Sequence, residues 1–367
     1  MAPDLVQTLT AIWRRRFQKE EVRADADFFE DLGGDSLAAV GLFLEIEREL
    51  GVKLPITAIY DASTIAEQAA LIESEAAPTF SHLVKLKEGD ESRPFFIVHG
   101  VGGTVVEMTA LGRAMTIERA VYGVQAQGVD GSRGPLDSVH AMAARYVDVI
   151  REVQANGPYA LGGYSFGGLV ALEMARLLGP RAVSHLVMID VFAHPQTWPL
   201  SIKLMVRARR VVRRPPKQTL SVLRGKLRSL TERKSATDRA AERAAAINNW
   251  LGAVDPNLPL ALRQTRIAGD AALMTYCPRA YDGAAHFIRA RKPGSVFPPV
   301  PRMVWGPLIS RLEVQTTAGD HRSILGANAG ELARRLSTIL DGKSLHAAAR
   351  SKRQRVASLP QPQAQMP

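Results

Sequence analysis

The sequence predicts a multidomain chain, a small four-helix domain followed by an α/β domain built on a mostly parallel sheet. Three observations predict this. Charge is divided unevenly: residues 1–80 hold seven Lys/Arg and fifteen Asp/Glu, the remainder forty and twenty-one. Asymmetry of that kind marks domains with different tasks and opposite fields that attract. From residue 81 onward, apolar runs of strand length alternate with helical patterns, as in a parallel sheet covered by helices. Within that alternation, Tyr159–Arg176 passes from an apolar run through Gly163-Tyr164-Ser165-Phe166-Gly167 into a helical pattern containing Leu169, Met174 and Leu177.

The 367 residues suit two or three domains. No run is long and apolar enough for a membrane span. Met1-Ala-Pro-Asp-Leu5 lacks the basic flank and apolar centre of a secretory signal. Cys277 is the single cysteine, so no internal disulfide forms and a cytoplasmic location is expected. Cys277 itself is expected to be a small buried hydrophobe.

In the first eighty residues, Asp4–Gln18 reads as an amphipathic helix with Leu5, Leu9, Ile12 and Trp13 on its apolar face. Ala24–Asp35 is a polar loop anchored by Phe28 and Phe29. Ser36 opens a second helix that carries Val40, Leu44, Phe43, Ile46 and Leu50, and Gly51 ends it as a C-terminal cap. Pro55 starts a short helical turn. A fourth helix begins near Ser63-Thr64, one of which caps its first amides.

The segment Asp31-Leu-Gly-Gly-Asp-Ser36-Leu resembles the modification site of acyl and peptidyl carrier proteins, and the resemblance covers residues 3 to about 75. It implies that Ser36 is the attachment point of a covalent 4′-phosphopantetheine arm, added by a phosphopantetheinyl transferase that faces Asp35 and the acidic second helix. A helix N-terminus suits the phosphodiester, since its free amides and dipole favour negative charge.

Glu75–Phe80 is a brief break, with Pro78 ending the fourth helix. Ser81–Leu86 begins an edge strand. Phe95–His99 is a buried strand leading into Gly100-Val-Gly-Gly-Thr104. That loop lacks the spacing of a phosphate-binding loop. After such a strand it is expected to supply an oxyanion amide, from Val101 or Gly102, with Val101 the first choice. His99 is expected to pack the loop rather than act as a base. Ala120–Gln125 is a strand, and Val139–Gln154 a helix with Met142, Tyr146, Val149 and Ile150 inward.

The Gly-x-Ser-x-Gly turn then has a mechanical meaning. Its glycines admit a strained turn that lifts the Ser165 hydroxyl clear of the sheet, and the Phe166 N–H points at an oxyanion forming there. A serine hydroxyl needs a base, and the base needs an orienting carboxylate. Beyond Ser165 the histidines are His185, His194, His286, His321 and His346. His185 and His286 lie in strand-like runs and His346 in a polar tail, whereas His321 follows a strand into the loop Ala318–Leu325, where α/β sites are built. For the acid, Gly283–Leu312 contains no Asp or Glu. Asp190 ends the strand Ser184–Asp190, whereas Asp320 adjoins His321 too closely to orient its ring. The expected set is Ser165, Asp190 and His321.

Leu161–Gly168, Met188-Ile-Asp190, Tyr276–Gly283 and Gly319–Ile324 resemble the thioesterase domains of nonribosomal peptide synthetases and polyketide synthases, over roughly residues 81 to 341. The resemblance implies an α/β-hydrolase domain with a helical lid insertion at about 198–275, and an acid at Asp190. Domain bounds are expected at 1–77 and 81–341, with a disordered tail at 342–367. The expected activity is release of an acyl or peptidyl chain from the carrier thioester, by hydrolysis or cyclisation. Transfer to an external nucleophile, or a silent docking protein, are the alternatives. No condensation, adenylation or ketosynthase segment precedes the carrier, so loading in trans by upstream enzymes is expected. Ile202–Lys234 carries twelve Lys/Arg against Glu232 alone; such a basic lid either steers the acidic carrier or the phosphate of its arm, or is a solvated helix face with Leu204, Val211 and Leu223 packed inward. No metal and no nucleic-acid partner are expected.

Overall fold

The computed structural model describes residues 5–34, 36–74, 80–192, 198, 200–202, 254–256, 258–292 and 300–342. The break at 75–79, the basic segment 203–234 and the tail from 343 lie outside them.

Four helices form the N-terminal domain: α1 (Leu5–Phe17), α2 (Ser36–Leu50), α3 (Ala58–Asp61) and α4 (Ile65–Glu73). Their apolar stripes meet because residues three and four apart share a face. Leu9, Ile12 and Trp13 of α1 are fully buried against Leu42 and Ile46 of α2. Gly51, at φ +70°, supplies the left-handed cap that ends α2. Thr64 is the cap of α4, accepting from Glu67 N–H while the Glu67 carboxylate accepts from Thr64 N–H. Ser63 instead donates its hydroxyl to Asp27 at 2.6 Å. Trp13 donates its indole N–H to Gln68 Oε1 at 3.0 Å, in a position closed to solvent.

Among the described residues the second domain holds seven strands: β1 (Leu83–Lys87), β2 (Asp90–Val98), β3 (Arg119–Val124), β4 (Tyr159–Tyr164), β5 (Val183–Ile189), β6 (Tyr281–Lys292) and β7 (Ile309–Asp320). They form one sheet in the order β1-β3-β2-β4-β5-β6-β7. Only the β1–β3 pair is antiparallel. The chain thus starts at one edge, moves to the centre and winds to the other edge. β4 is buried along its whole length, as a central parallel strand must be.

Helices α5 (Thr109–Ala114), α6 (Val139–Val153), α7 (Phe166–Leu178), α8 (Leu260–Thr275), α9 (Pro301–Trp305) and α10 (Ala329–Leu340) complete the domain among the described residues. Phe166–Ala175 of α7 is buried on every side, because α7 is packed between β4, β5 and α6. Its Glu173, 2% exposed, is compensated by Arg176 and the Tyr276 hydroxyl. Leu177, in the last turn of α7 and beyond the reach of the sheet, is 54% exposed. One expectation fails at a helix end. Cys277 is exposed rather than buried, because Tyr276, 4% exposed, takes the inward position after α8.

Replacing Trp13 with Phe removes the donor to Gln68 and leaves a buried carbonyl oxygen unpaired. The expected loss is about 1–3 kcal/mol, read as faster amide exchange through α1 and α4, with the sheet amides unchanged.

Candidate active site

The site grows from strand ends. β4 ends at Tyr164, and the chain reverses sharply at Ser165 into α7. Ser165 adopts φ 54° and ψ −117°, a left-handed conformation that disfavours any side chain. The surrounding glycines explain why the turn is possible. A Cβ at Gly163 would overlap the Gly167 carbonyl, and one at Gly167 would overlap the carbonyls of Val98 and His99. Ser165 N–H donates to Ile189 C=O at 2.8 Å. The turn is thereby tied to the end of β5.

Asp190 follows β5 directly, also at positive φ (45°). Its N–H donates to Ile288 C=O at 2.7 Å, and its Oδ1 accepts from Ala290 N–H at 2.9 Å. The carboxylate, 1% exposed, presents Oδ2 to His321 Nδ1 at 2.8 Å. That bond places the imidazole hydrogen on Nδ1, so Nε2 accepts from the Ser165 hydroxyl at 3.0 Å. The three side chains predicted from sequence therefore meet in one hydrogen-bonded line, with separations of 156 and 131 residues.

β7 extends to Asp320, so His321 stands at the strand end rather than in mid-loop. Asp320 has a different task. Its carboxylate accepts from Arg322 N–H, Ser323 N–H and the Ser323 hydroxyl. These hydrogen bonds hold its carboxyl below the usual range and pin the turn that carries His321. His185 and His286 lie within β5 and β6. His194 and His346 lie outside the described residues.

Phe166 is the first residue of α7, where an amide has no partner one turn back. Val101 lies in the turn after β2, closed by Gly103 N–H to Gly100 C=O. β2 and β4 are paired neighbours, so the two expected oxyanion amides belong to adjacent strand ends. α8 covers this turn, its Gly269 lying against Val101 and Thr265 against Gly103.

His99, 1% exposed, donates from Nδ1 to Gly100 C=O and accepts at Nε2 from the Tyr146 hydroxyl (2.7 Å). Burial pushes its pKa down to about 4. It is a neutral packing residue of the turn.

Two residues at the site carry no signal in the spacing of motifs. Tyr164 stacks its ring on the His321 imidazole, centroids 4.9 Å apart, and donates its hydroxyl to the His321 carbonyl. Both contacts fix the base. Glu107 is the second; a lone carboxylate within Val105-Val106-Glu107-Met108 was the available clue. It opens onto a cavity of about 810 Å³. Its side chain is exposed to that cavity, and desolvation by the protein packed around the cavity mouth still pushes its pKa up to about 7, despite His321 and Arg266 nearby.

That cavity is bounded by both domains. Phe29, Glu30, Gly33 and Gly34 contribute from the N-terminal domain, and Glu107, Tyr164 and Arg322 among others from the second. Ser36 begins α2 two residues beyond Gly34.

A mostly parallel sheet whose strand ends align a serine, a histidine and a buried aspartate has the architecture of a serine-type hydrolase. The thioesterase domain family matches residues 93–340, and the phosphopantetheine attachment site family matches residues 7–72. The chain belongs to the thioesterase domain family, and its first domain is a carrier, the site of covalent 4′-phosphopantetheine attachment.

It is 32% identical over 289 residues to a dimodular nonribosomal peptide synthase of Bacillus subtilis (strain 168), covering 77% of this chain and 12% of that protein. It is 36% identical over 171 residues to an indigoidine synthase of Dickeya dadantii (strain 3937), covering 47% and 11%. The chain thus spans about an eighth or less of these relatives' length. Its fold is similar to a holo four-domain nonribosomal peptide synthetase solved with AMP and glycine, at TM-score 0.53 and 24% identity, covering 92% of this chain and 26% of that one. Among the described residues, no helix is long and apolar enough to cross a membrane, and no group of His, Cys, Asp and Glu could hold a metal ion.

His99 carries a pH prediction. Its folded pKa lies below the unfolded value of 6.5, so the unfolded chain binds more protons between the two. Its contribution is complete above about pH 6.5 and lost as pH falls to about 4, an added loss of about 3 kcal/mol. Urea unfolding of wild type and His99→Gln at both pH values isolates it. The variant's stability should fall less across that window.

Proposed function

We propose that the chain releases an acyl or peptidyl group from its own carrier through a serine acyl-enzyme, in the biosynthesis of a nonribosomal peptide or polyketide. The single observation that carries this reading is the line Asp190–His321–Ser165, with hydrogen bonds of 2.8 and 3.0 Å, at a strand edge beside a cavity shared with the carrier. Ser36 is the proposed attachment point. The cavity fits that role, because the glycine loop that precedes Ser36 forms part of its wall. A Cβ at Gly34 would overlap the Phe28 ring, so this loop lies flat on the carrier core.

When attached, the arm presents the acyl chain as a thioester. Ser165 Oγ attacks the carbonyl as His321 Nε2 takes its proton. The charge that develops on the carbonyl oxygen is met by the amides of Phe166 and Val101. His321, held by Asp190 and the Tyr164 ring, returns the proton to the departing sulfur. Water, or a nucleophile on the chain itself, then gives its proton to His321 and attacks the acyl-serine; as the acyl–oxygen bond breaks, His321 returns that proton to Ser165 Oγ, freeing the serine. Domain bounds of 1–77 and 81–341 suit this reading, with a lid at about 198–275, of which α8 is the largest described part. Phosphopantetheinyl transferase and upstream synthetase enzymes are the proposed partners.

Ser165→Ala should lower release by a factor of about 10⁵–10⁶ and abolish labelling by a fluorophosphonate. Ser36→Ala should abolish arm attachment by mass spectrometry while leaving that labelling intact. Release that persists in Ser165→Ala would overturn the acyl-enzyme. An arm found elsewhere on Ser36→Ala would overturn the attachment site.

A further inference from the structure

We infer that Arg113 is the docking residue that closes the carrier over the active-site cavity, and that its target is the acidic loop preceding Ser36. Arg113 sits on α5 and lines the cavity, as does Tyr164 at the end of β4. Its guanidinium lies over the Phe29 ring, 5.2 Å from the centroid. It forms ion pairs with Asp27 at 3.4 Å and with Glu30 at 3.3 Å. One side chain thus grips three carrier residues in four consecutive positions.

The grip reaches further through the loop. Asp27 also accepts from Phe29 N–H, Glu30 N–H and the Ser63 hydroxyl. The ion pair therefore lands on the group that already organises the loop running to Gly33 and Gly34. Phe29 in turn stacks on Tyr60, centroids 6.1 Å apart, and Tyr60 packs against the core of the second domain. An aromatic pair with a cation over one face makes a small interface of mixed chemistry.

Phe29, Glu30, Gly33 and Gly34 are cavity wall, so the cavity has its observed form only while this contact holds. Ordinary surface ion pairs are weak, and a weak contact is what a carrier requires. Five residues separate Ser74 from Phe80. Such a tether gives an effective concentration in the millimolar range, enough to favour docking without preventing release to other enzymes. The purpose assigned to the contact rests on the release reading above; the contact itself does not.

The test uses the full-length holo chain. Glu30 is the partner to alter, because Asp27 also holds its own loop. Arg113→Glu should raise amide exchange in both 27–34 and 105–113. It should slow single-turnover release from the carrier by about tenfold or more, since like charges at an interface repel strongly. Turnover of a small soluble acyl thioester should fall far less than carrier-borne release, because α5 holds no group of the catalytic line. The charge swap Arg113→Glu with Glu30→Arg should recover both the protection and the carrier-borne rate. Unchanged exchange in Arg113→Glu, or no recovery in the swap, overturns the docking role. If wild type turns over neither thioester, the release reading fails instead, and the exchange arm alone decides docking.

Discussion

Two backbone hydrogen bonds set the active site. Ser165 N–H to Ile189 C=O and Asp190 N–H to Ile288 C=O step across β4, β5 and β6. Each begins at a residue held at positive φ, a conformation that costs on the order of 1–3 kcal/mol. Neither residue would hold that shape alone. The parallel register of the three strands over-determines both, and the strain places one nucleophile and one carboxylate on the same rim. His321 then needs only to arrive at the end of β7. Asp320, through its turn hydrogen bonds, and Tyr164, through its ring and hydroxyl, fix where it arrives.

On the release reading proposed above, the same rim accounts for the division of charge along the chain. A carrier must approach the strand ends without blocking them. The negative first domain and positive remainder favour that approach at long range. At short range the contact in view is Arg113 with Asp27, Glu30 and Phe29. The segment expected from composition to steer the carrier was the basic stretch 202–234, nearly all of which lies outside the described residues. Net charge reports a field and not an address.

Much of the site was legible in order along the chain. Ser165 was legible because strand, glycines and helix must coincide around a nucleophile turn. Asp190 followed from elimination, since one stretch had no carboxylate, and His321 from its place in a loop beyond a strand end, where His185 and His286 lay in strand-like runs and His346 in a polar tail. Tyr164 was not legible, since the position before the serine carries no spacing rule. Glu107 was visible as a lone carboxylate among apolar residues, but its surroundings come from three separate elements. Cys277 was misplaced because a lone apolar-looking cysteine does not reveal that its neighbour Tyr276 takes the inward position.

Taken alone, the amino-acid order determined which segments are strands and helices, where the sharp turn falls, and which serine, aspartate and histidine have suitable neighbours. These follow from local sterics and periodicity, which act over a few residues. Only the tertiary structure decided that Ser165, Asp190 and His321 share a rim, that Asp320 serves the turn instead, and that a carrier loop walls the cavity. Those outcomes depend on strand order and on packing between domains, which join residues more than a hundred positions apart.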